Sequence, residues 1–250
     1  MKISLIMAAF NSEVTIGRAI ESFLRQDYQD GELIVVDGAS RDETCAIVSG
    51  FQSSRIRLQS APDGGIYDAL NRGILRAKGE IIGTLHSNDV LAHSGVLSTV
   101  ATAMSDPTLD AVYADVVFFK PGDLTRVVRR SRSSTFSPQR LSWGCMPAHP
   151  ALYLRRRLFD RYGVYPIDYS IAGDFHLMCR IFQDPATIYR HIDEVWTNME
   201  AGGASTSGLR SKIKISREIL KACRDTGVRT NIMKIMARYP GKLLEIMYGR

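Results

Sequence analysis

Asp89 is the one acidic residue in LHSNDV, residues 85–90, just past the apolar run EIIGTL. A single carboxylate there can cap a helix, or it can hold a divalent cation. Magnesium or manganese needs only one or two protein carboxylates when substrate phosphates supply the other oxygens. His86 and Asn88 stand beside it. Asp37 ends ELIVVD and is followed by GASRDET; a carboxylate in that place can accept hydrogen bonds from a base or ribose, or close its own turn. APDGGIYDALNRG, residues 61–73, sets Asp63 in a glycine turn and Asp68 in the first turn of a helix. The helix dipole favours an acid at such a start, and two adjacent glycines suit a close backbone approach. Asp174 in YSIAGDFHLMCR has apolar neighbours. Burial raises the pKa of such a carboxyl, which suits a general base; a helix cap is the alternative.

These residues need a frame. ISLIMAAF (3–10), ELIVVD (32–37), IRLQ (56–59), EIIGTL (80–85) and DAVYADVVFF (110–119) read as strands from their apolar or alternating runs. Between the first two, Ile16, Ala19, Ile20, Phe23 and Leu24 share one helical face. Ser40 and Glu43 form an S-x-x-E capping box that predicts a helix start, and Gly79 is expected to close the helix carrying Leu70, Ile74 and Ala77. Strands alternating with helices imply an α/β fold with a mostly parallel sheet, whose ligands bind beyond the carboxyl ends of the strands. Asn11, Asp37 and Asp89 each follow a strand and so belong to that edge. Further on, 149–163 reads as a strand entering a helix, 173–182 as a short helix, and 198–208 as a loop rich in glycine and serine.

The 250 residues suit one large α/β domain, here bounded at 1–205, with a helical tail over 206–250. In that tail Ile232, Met233, Ile235, Met236, Leu243, Leu244, Ile246 and Met247 interleave with Lys234, Arg238, Lys242 and Arg250, a basic amphipathic pattern. The net charge of +6 is concentrated there and in 126–134 and 154–161; such clusters suit phosphate, anionic membrane or a plain solvated surface. No nucleic-acid motif accompanies them. Neither a G-x-G-x-x-G fingerprint nor a Walker loop follows a strand, which disfavours dinucleotide enzymes and P-loop NTPases. Cys45, Cys145, Cys179 and Cys223 show no metal-type spacing and read as reduced thiols. The N-terminal apolar run meets Asn11 too soon for a signal peptide, and no run is long enough to cross a bilayer. A cytoplasmic protein is expected.

SLIMAAFNSEVTIGRAIESFLRQDY, ELIVVDGASRDET, PDGGIYDALNRGILRAKGEIIGTLHSND, HPALYLRRRLFDRYG and IAGDFHLMCR, in this order, resemble family 2 glycosyltransferases, most closely the bacterial polysaccharide enzymes of the colanic-acid type. The resemblance covers about residues 2–205. It implies a GT-A, Rossmann-like fold, a nucleotide-sugar donor (uridine foremost, guanosine next), a divalent cation (Mn2+ or Mg2+) and inversion at the anomeric carbon. By position, Ala8, Phe10 and Asn11 line the nucleotide, Asp37 contacts the base, Asp63, Asp68 and Asn88 complete the nucleotide site, Asp89 is the metal-binding member of the D-x-D element, and Asp174 is the catalytic base. The acceptor implied is a glycan or lipid-linked sugar, with the tail on the inner membrane leaflet. Two departures stand out: Asn88 and His86 replace residues that are usually acidic or Asp/Asn, and Gly38 replaces a second Asp. A catalytically silent membrane scaffold and a sugar nucleotidyltransferase are the competing readings; the latter calls for a basic glycine-rich loop where this chain has AAFNSEV.

Overall fold

A computed structural model describes residues 1–202 and 208–237. Most of the serine- and glycine-rich stretch after 202 and the tail beyond 237 lie outside the described residues. The first half alternates β1 (Ile3–Ala9), α1 (Ile16–Leu24), β2 (Gly31–Asp37), α2 (Thr44–Gly50), β3 (Ile56–Ser60), α3 (Ile66–Arg76) and β4 (Ile81–Thr84). These strands are parallel, in the order β3-β2-β1-β4. All seven residues of β2 are buried, as expected for a run such as LIVV covered on both faces. Strand parity divides the core: Ile6, Ile34 and Val36 face one layer, while Leu5, Met7, Leu33 and Val35 face the other with Ile16, Ile20 and Phe23 of α1.

The second half comprises β5 (Val90–Leu91), α4 (Val96–Ala103), β6 (Ala111–Lys120), β7 (Asp123–Ser131), β8 (Leu152–Arg155), α5 (Arg156–Tyr162), α6 (Gly173–Phe182), β9 (Tyr189–Glu200) and α7 (Gly208–Thr226). It extends the sheet as β8-β6-β9-β5, with β7 on β6. Here the expectation of a mostly parallel sheet is corrected to a mixed one. β8 is antiparallel to β4 and β6, β7 to β6, and β5 to β9. β8 enters from a 3-10 turn at His149–Ala151 rather than from a crossover helix, and only parallel neighbours require a long crossover.

Two helix-end expectations are also corrected. α2 starts at Thr44, not after Ser40, because Asp37 takes the Ser40 hydroxyl and Asp42 Oδ1 accepts the Thr44 N–H at 3.0 Å. α3 ends at Arg76. Gly79 serves a close approach instead: a Cβ there would lie 2.6 Å from the Ser4 nitrogen.

α3 lies on β1 through Gly73, whose Cβ would sit 2.3 Å from Ile6 Cγ2. Gly73→Ala therefore trades a helix-propensity gain of about 1 kcal/mol against overpacking that costs about 1–3 kcal/mol. A net loss of about 0–2 kcal/mol is expected in urea unfolding. α7 packs onto α6, and its Ile219, Ala222 and Cys223 are buried in the same core as Phe175 and Met178.

Candidate functional site

The carboxyl ends of β1, β2 and β3 finish level, with Ala9 beside Asp37 and Asp37 beside Ser60. Leu85 N–H donates to Ile6 O at 3.1 Å, so β4 runs on into a turn closed by Asp89 N–H to His86 O at 3.0 Å. Three loops thus meet along one edge. The β1–α1 and β2–α2 loops are bonded together: Asn11 N–H donates to Ser40 Oγ (2.8 Å), Asn11 Oδ1 accepts from Arg41 N–H (3.0 Å), and Ser12 N–H donates to Thr44 Oγ1 (2.7 Å). Asn11 (φ 47°) and Ala39 (φ 63°) both hold left-handed backbone, which costs a non-glycine residue of order 1 kcal/mol and gathers at functional sites. Phe10 is 62% exposed beside them.

Asp37 itself is fully buried. Its carboxylate accepts from Ser40 N–H (3.0 Å), the Ser40 hydroxyl, the Ser60 hydroxyl (2.6 Å) and the Cys45 thiol (3.2 Å). Burial opposes its charge, yet these donors prevail and hold its pKa below the ordinary value. The expected base contact by Asp37 thus finds an acid already engaged by its own chain. Asp63 fills the gap left at position 38: its Oδ2 lies 2.8 Å from where a Gly38 Cβ would stand. Asp68 is likewise engaged. It accepts from Gly64 N–H (2.8 Å) and from Arg72 (2.8 Å), whose Nη1 also reaches Pro62 O (2.9 Å). The Gly64 N–H and then Arg72 keep the Asp68 pKa low. Asp68 fixes the turn that presents Asp63.

Asp89 precedes strand β5, not a helix, which removes the capping alternative. It is 1% exposed, and neither carboxylate oxygen has a hydrogen-bond partner among the described residues. Burial, reinforced by the nearby Glu200 charge and only partly offset by Arg18 and the Glu200 backbone N–H, which lies outside hydrogen-bond geometry, pushes its pKa up to about 8. An unpartnered buried carboxylate is costly, and a divalent cation is a group that compensates it. Among the described residues no cluster of three or more His, Cys, Asp or Glu side chains could enclose a metal by itself. The residues thus fit a cation that takes its remaining ligands from phosphate and water.

From this turn a chain of rings leads to Asp174. His86 lies 5.8 Å from His149 between centroids, His149 Nε2 is 2.8 Å from the Tyr165 hydroxyl, and Tyr165 stacks on Tyr67 at 5.7 Å. The Tyr67 hydroxyl donates to Ile171 O and to Asp174 Oδ1 (3.3 Å). Burial, joined at His86 by the His149 charge, depresses His86 to about 3 and His149 to about 4, so both are neutral at pH 7. Asp174 lies in the first turn of α6, but Ala172 is the cap, without a side-chain bond. Its capping alternative fails. Burial raises its pKa to about 6, against the pull of Phe175 N–H (2.7 Å) and Tyr67.

The chain leading into α6 is held from α7, whose Glu218 accepts from the N–H groups of Ser170, Ile171 and Ala172 at 2.8–3.2 Å. Sequence reasoning missed Glu218, His149, Tyr165 and Tyr67. Tyr67 sits one residue before Asp68 and was within reach of a local reading; Glu218 acts across 46 residues and was not. Tyr67→Phe removes a donor to the charged form of Asp174. The acid limb of the kcat/KM profile is then expected to move up by roughly half to one pH unit, measured across pH 5–8.

The arginines weighed as phosphate ligands are placed elsewhere. Arg155 donates to Leu109 and Met104 carbonyls, Arg156 to Ala77 and Gly79, and Arg157 to Asp110. Arg130 pairs with buried Asp115 at 2.8 Å. These contacts lock the second half of the sheet. A shallow hollow lined by Met1, Tyr28, Met104 and Arg155 gathers none of the candidate site residues.

The family model for glycosyl transferase family 2 matches residues 4–163. The chain belongs to that family. This glycosyltransferase is 28% identical over 251 residues to a "PGL/p-HBAD biosynthesis glycosyltransferase" of Mycobacterium tuberculosis, covering 99% of this chain and 94% of the relative. Its fold resembles Staphylococcus aureus TarS 1-349 in complex with UDP-GlcNAc (TM-score 0.70, 18% identity, 89% of this chain and 66% of the other). It also resembles a mannosyltransferase of Pyrobaculum calidifontis in complex with GDP-Man and Mn2+ (TM-score 0.68, 19% identity, 92% and 65%). The glycosyltransferase spans about two thirds of these solved chains. The α/β fold expected from the sequence is the one found. Among the described residues no helix is long and apolar enough to cross a membrane.

Proposed function

We propose that this glycosyltransferase is an inverting enzyme that moves a sugar from a nucleotide-sugar donor, uridine-linked first and guanosine-linked second, to a hydroxyl of a glycan or lipid-linked acceptor in polysaccharide assembly. The observation that carries the reading is two differently tuned acids, Asp89 in the turn after β4 and Asp174 at the start of α6, joined by the rings from His86 to Tyr67. Asp174, at about 6, is ionised at neutral pH yet basic enough to accept a proton, and Asp89 is buried without a partner. Phe10, Asn11 and the Asp63 turn receive the nucleoside, with Ala8 behind them. Asn88, beside Asp89, would contact the bound donor.

The acceptor hydroxyl gives its proton to an Asp174 carboxylate oxygen as its own oxygen bonds to the anomeric carbon. The bond from that carbon to the diphosphate oxygen breaks on the opposite face, and the nucleoside diphosphate leaves. Tyr67, bonded to Asp174, and Glu218, which clamps the entry to α6, hold the base in place. A cation bound at Asp89 would neutralise charge on the departing diphosphate.

A silent scaffold has no need to bury an unpaired carboxylate, and that weighs against it. Contact with the inner leaflet belongs to the proposal: Ile232, Met233 and Met236, at 51%, 79% and 49% exposure, leave apolar surface on the tail. The test is release of free nucleoside diphosphate from UDP- and GDP-sugars offered with Mn2+ and candidate acceptors. Acceptor-stimulated release from one sugar class, with inversion in the product, supports the reading; none from any donor counts against it.

A further inference from the structure

Asp89 does not face its burial alone. Glu200, the last residue of β9, is near enough for its charge to act on Asp89. The ladder explains the meeting: β5 and β9 are antiparallel with Val90 opposite Asn198 and Leu91 opposite Thr197. Continued by two residues, that register brings Glu200 opposite Asn88, in the turn that holds Asp89. Arg18 marks the convergence. A single nitrogen, Nη2, donates to Asn88 O at 3.2 Å and to Glu200 Oε1 at 2.7 Å. Gly122 N–H, 3.1 Å away, also falls on Oε1. Glu200 is 14% exposed on its side chain.

Two carboxylates brought together in a poorly solvated place repel each other. Arg18 bonds only Glu200 and offsets the burial of Asp89 only in part. A divalent cation answers both, and two protein carboxylates with substrate phosphates form an ordinary magnesium or manganese set. We propose that Glu200 is the second carboxylate of the cation site and replaces, from β9, the acid absent at Asn88. Arg18 holds Glu200 while no cation is present. The inference rests on the proposed function, since the cation is that of the donor diphosphate, but it assigns a role to a residue outside the 86–89 turn.

The competing role for Glu200 is an anchor joining α1 to the β6–β7 turn. An anchor and a ligand separate in a titration with Mn2+ alone, free ion being counted by electron paramagnetic resonance, and again with UDP or GDP added. Glu200→Gln is expected to weaken Mn2+ affinity by about tenfold or more, and Asn88→Asp added to it should recover most of the loss. Wild-type affinity in Glu200→Gln alongside lost affinity in Asp89→Asn overturns the role of Glu200 and leaves the proposed function standing. Absence of Mn2+ binding by the wild type in every arm overturns both. Should Glu200→Gln not fold, Asn88→Asp in the wild-type background decides. Little change there is expected because an acid is already supplied, whereas a gain of about tenfold contradicts the proposal.

Discussion

Asp174→Asn is expected to lower kcat by about 10^2–10^4-fold, the usual worth of a positioned general base, while Mn2+ and nucleoside diphosphate bind as before. Asparagine keeps the shape and can still meet Phe175 N–H and the Tyr67 hydroxyl, so loss of packing does not explain such a fall. The pH profile gives an independent check. With the base at about 6, wild-type kcat/KM should fall on its acid side through that value as Asp174 takes up a proton. Any residual activity of the variant should lack that limb. A variant with wild-type turnover removes Asp174 from the chemistry.

Asp89→Asn should abolish cation-dependent nucleotide binding and yet make the cation-free protein more stable at pH 8. A carboxyl whose folded pKa is raised stabilises most below its unfolded value, about 3.9, and that stability is lost as pH rises through the folded value of about 8. One pH unit of displacement corresponds to about 1.4 kcal/mol, and an unpaired buried amide costs about 1–3 kcal/mol. The net gain expected is therefore about 2–4 kcal/mol, read from urea unfolding without metal at pH 8 and falling to zero or below towards pH 4. Equal stability of the two proteins at both pH values contradicts an unpartnered ionising carboxylate at this position. Linkage gives the counterpart: Mn2+ displaces the proton, so its affinity for the wild type should rise with pH up to about 8.

The parallel half of the sheet was legible because LIVV-type runs and helical faces alternate at short range, and strand ends then rank Asn11, Asp37 and Asp89 along one edge. The second half, where β6 runs parallel to β9 but antiparallel to β7 and β8, was harder to read. β9 carries charged residues among its apolar ones, β5 is two residues long, and β7 contains the arginines that read as a phosphate cluster. Their pairing depends on partners distant in sequence. At the site, residue type singled out the carboxylates but not their state. Asp37 and Asp68 are consumed by internal bonds, whereas Asp89 has none, and only the packing of Ser60, Arg72 and Glu200 around them decides this. Within the chain itself the tight glycine contact is that of Gly38 with the Asp63 carboxylate.

The most direct measurement is the unfolding free energy of wild type and Asp89→Asn with UDP or GDP, each with and without Mn2+. A ligand at about a hundred times its dissociation constant adds about 2.7 kcal/mol. The expected result is stabilisation by one nucleotide only when Mn2+ is present, lost in Asp89→Asn. Stabilisation that is the same without Mn2+, or the same in the variant, contradicts a cation-dependent donor site at Asp89.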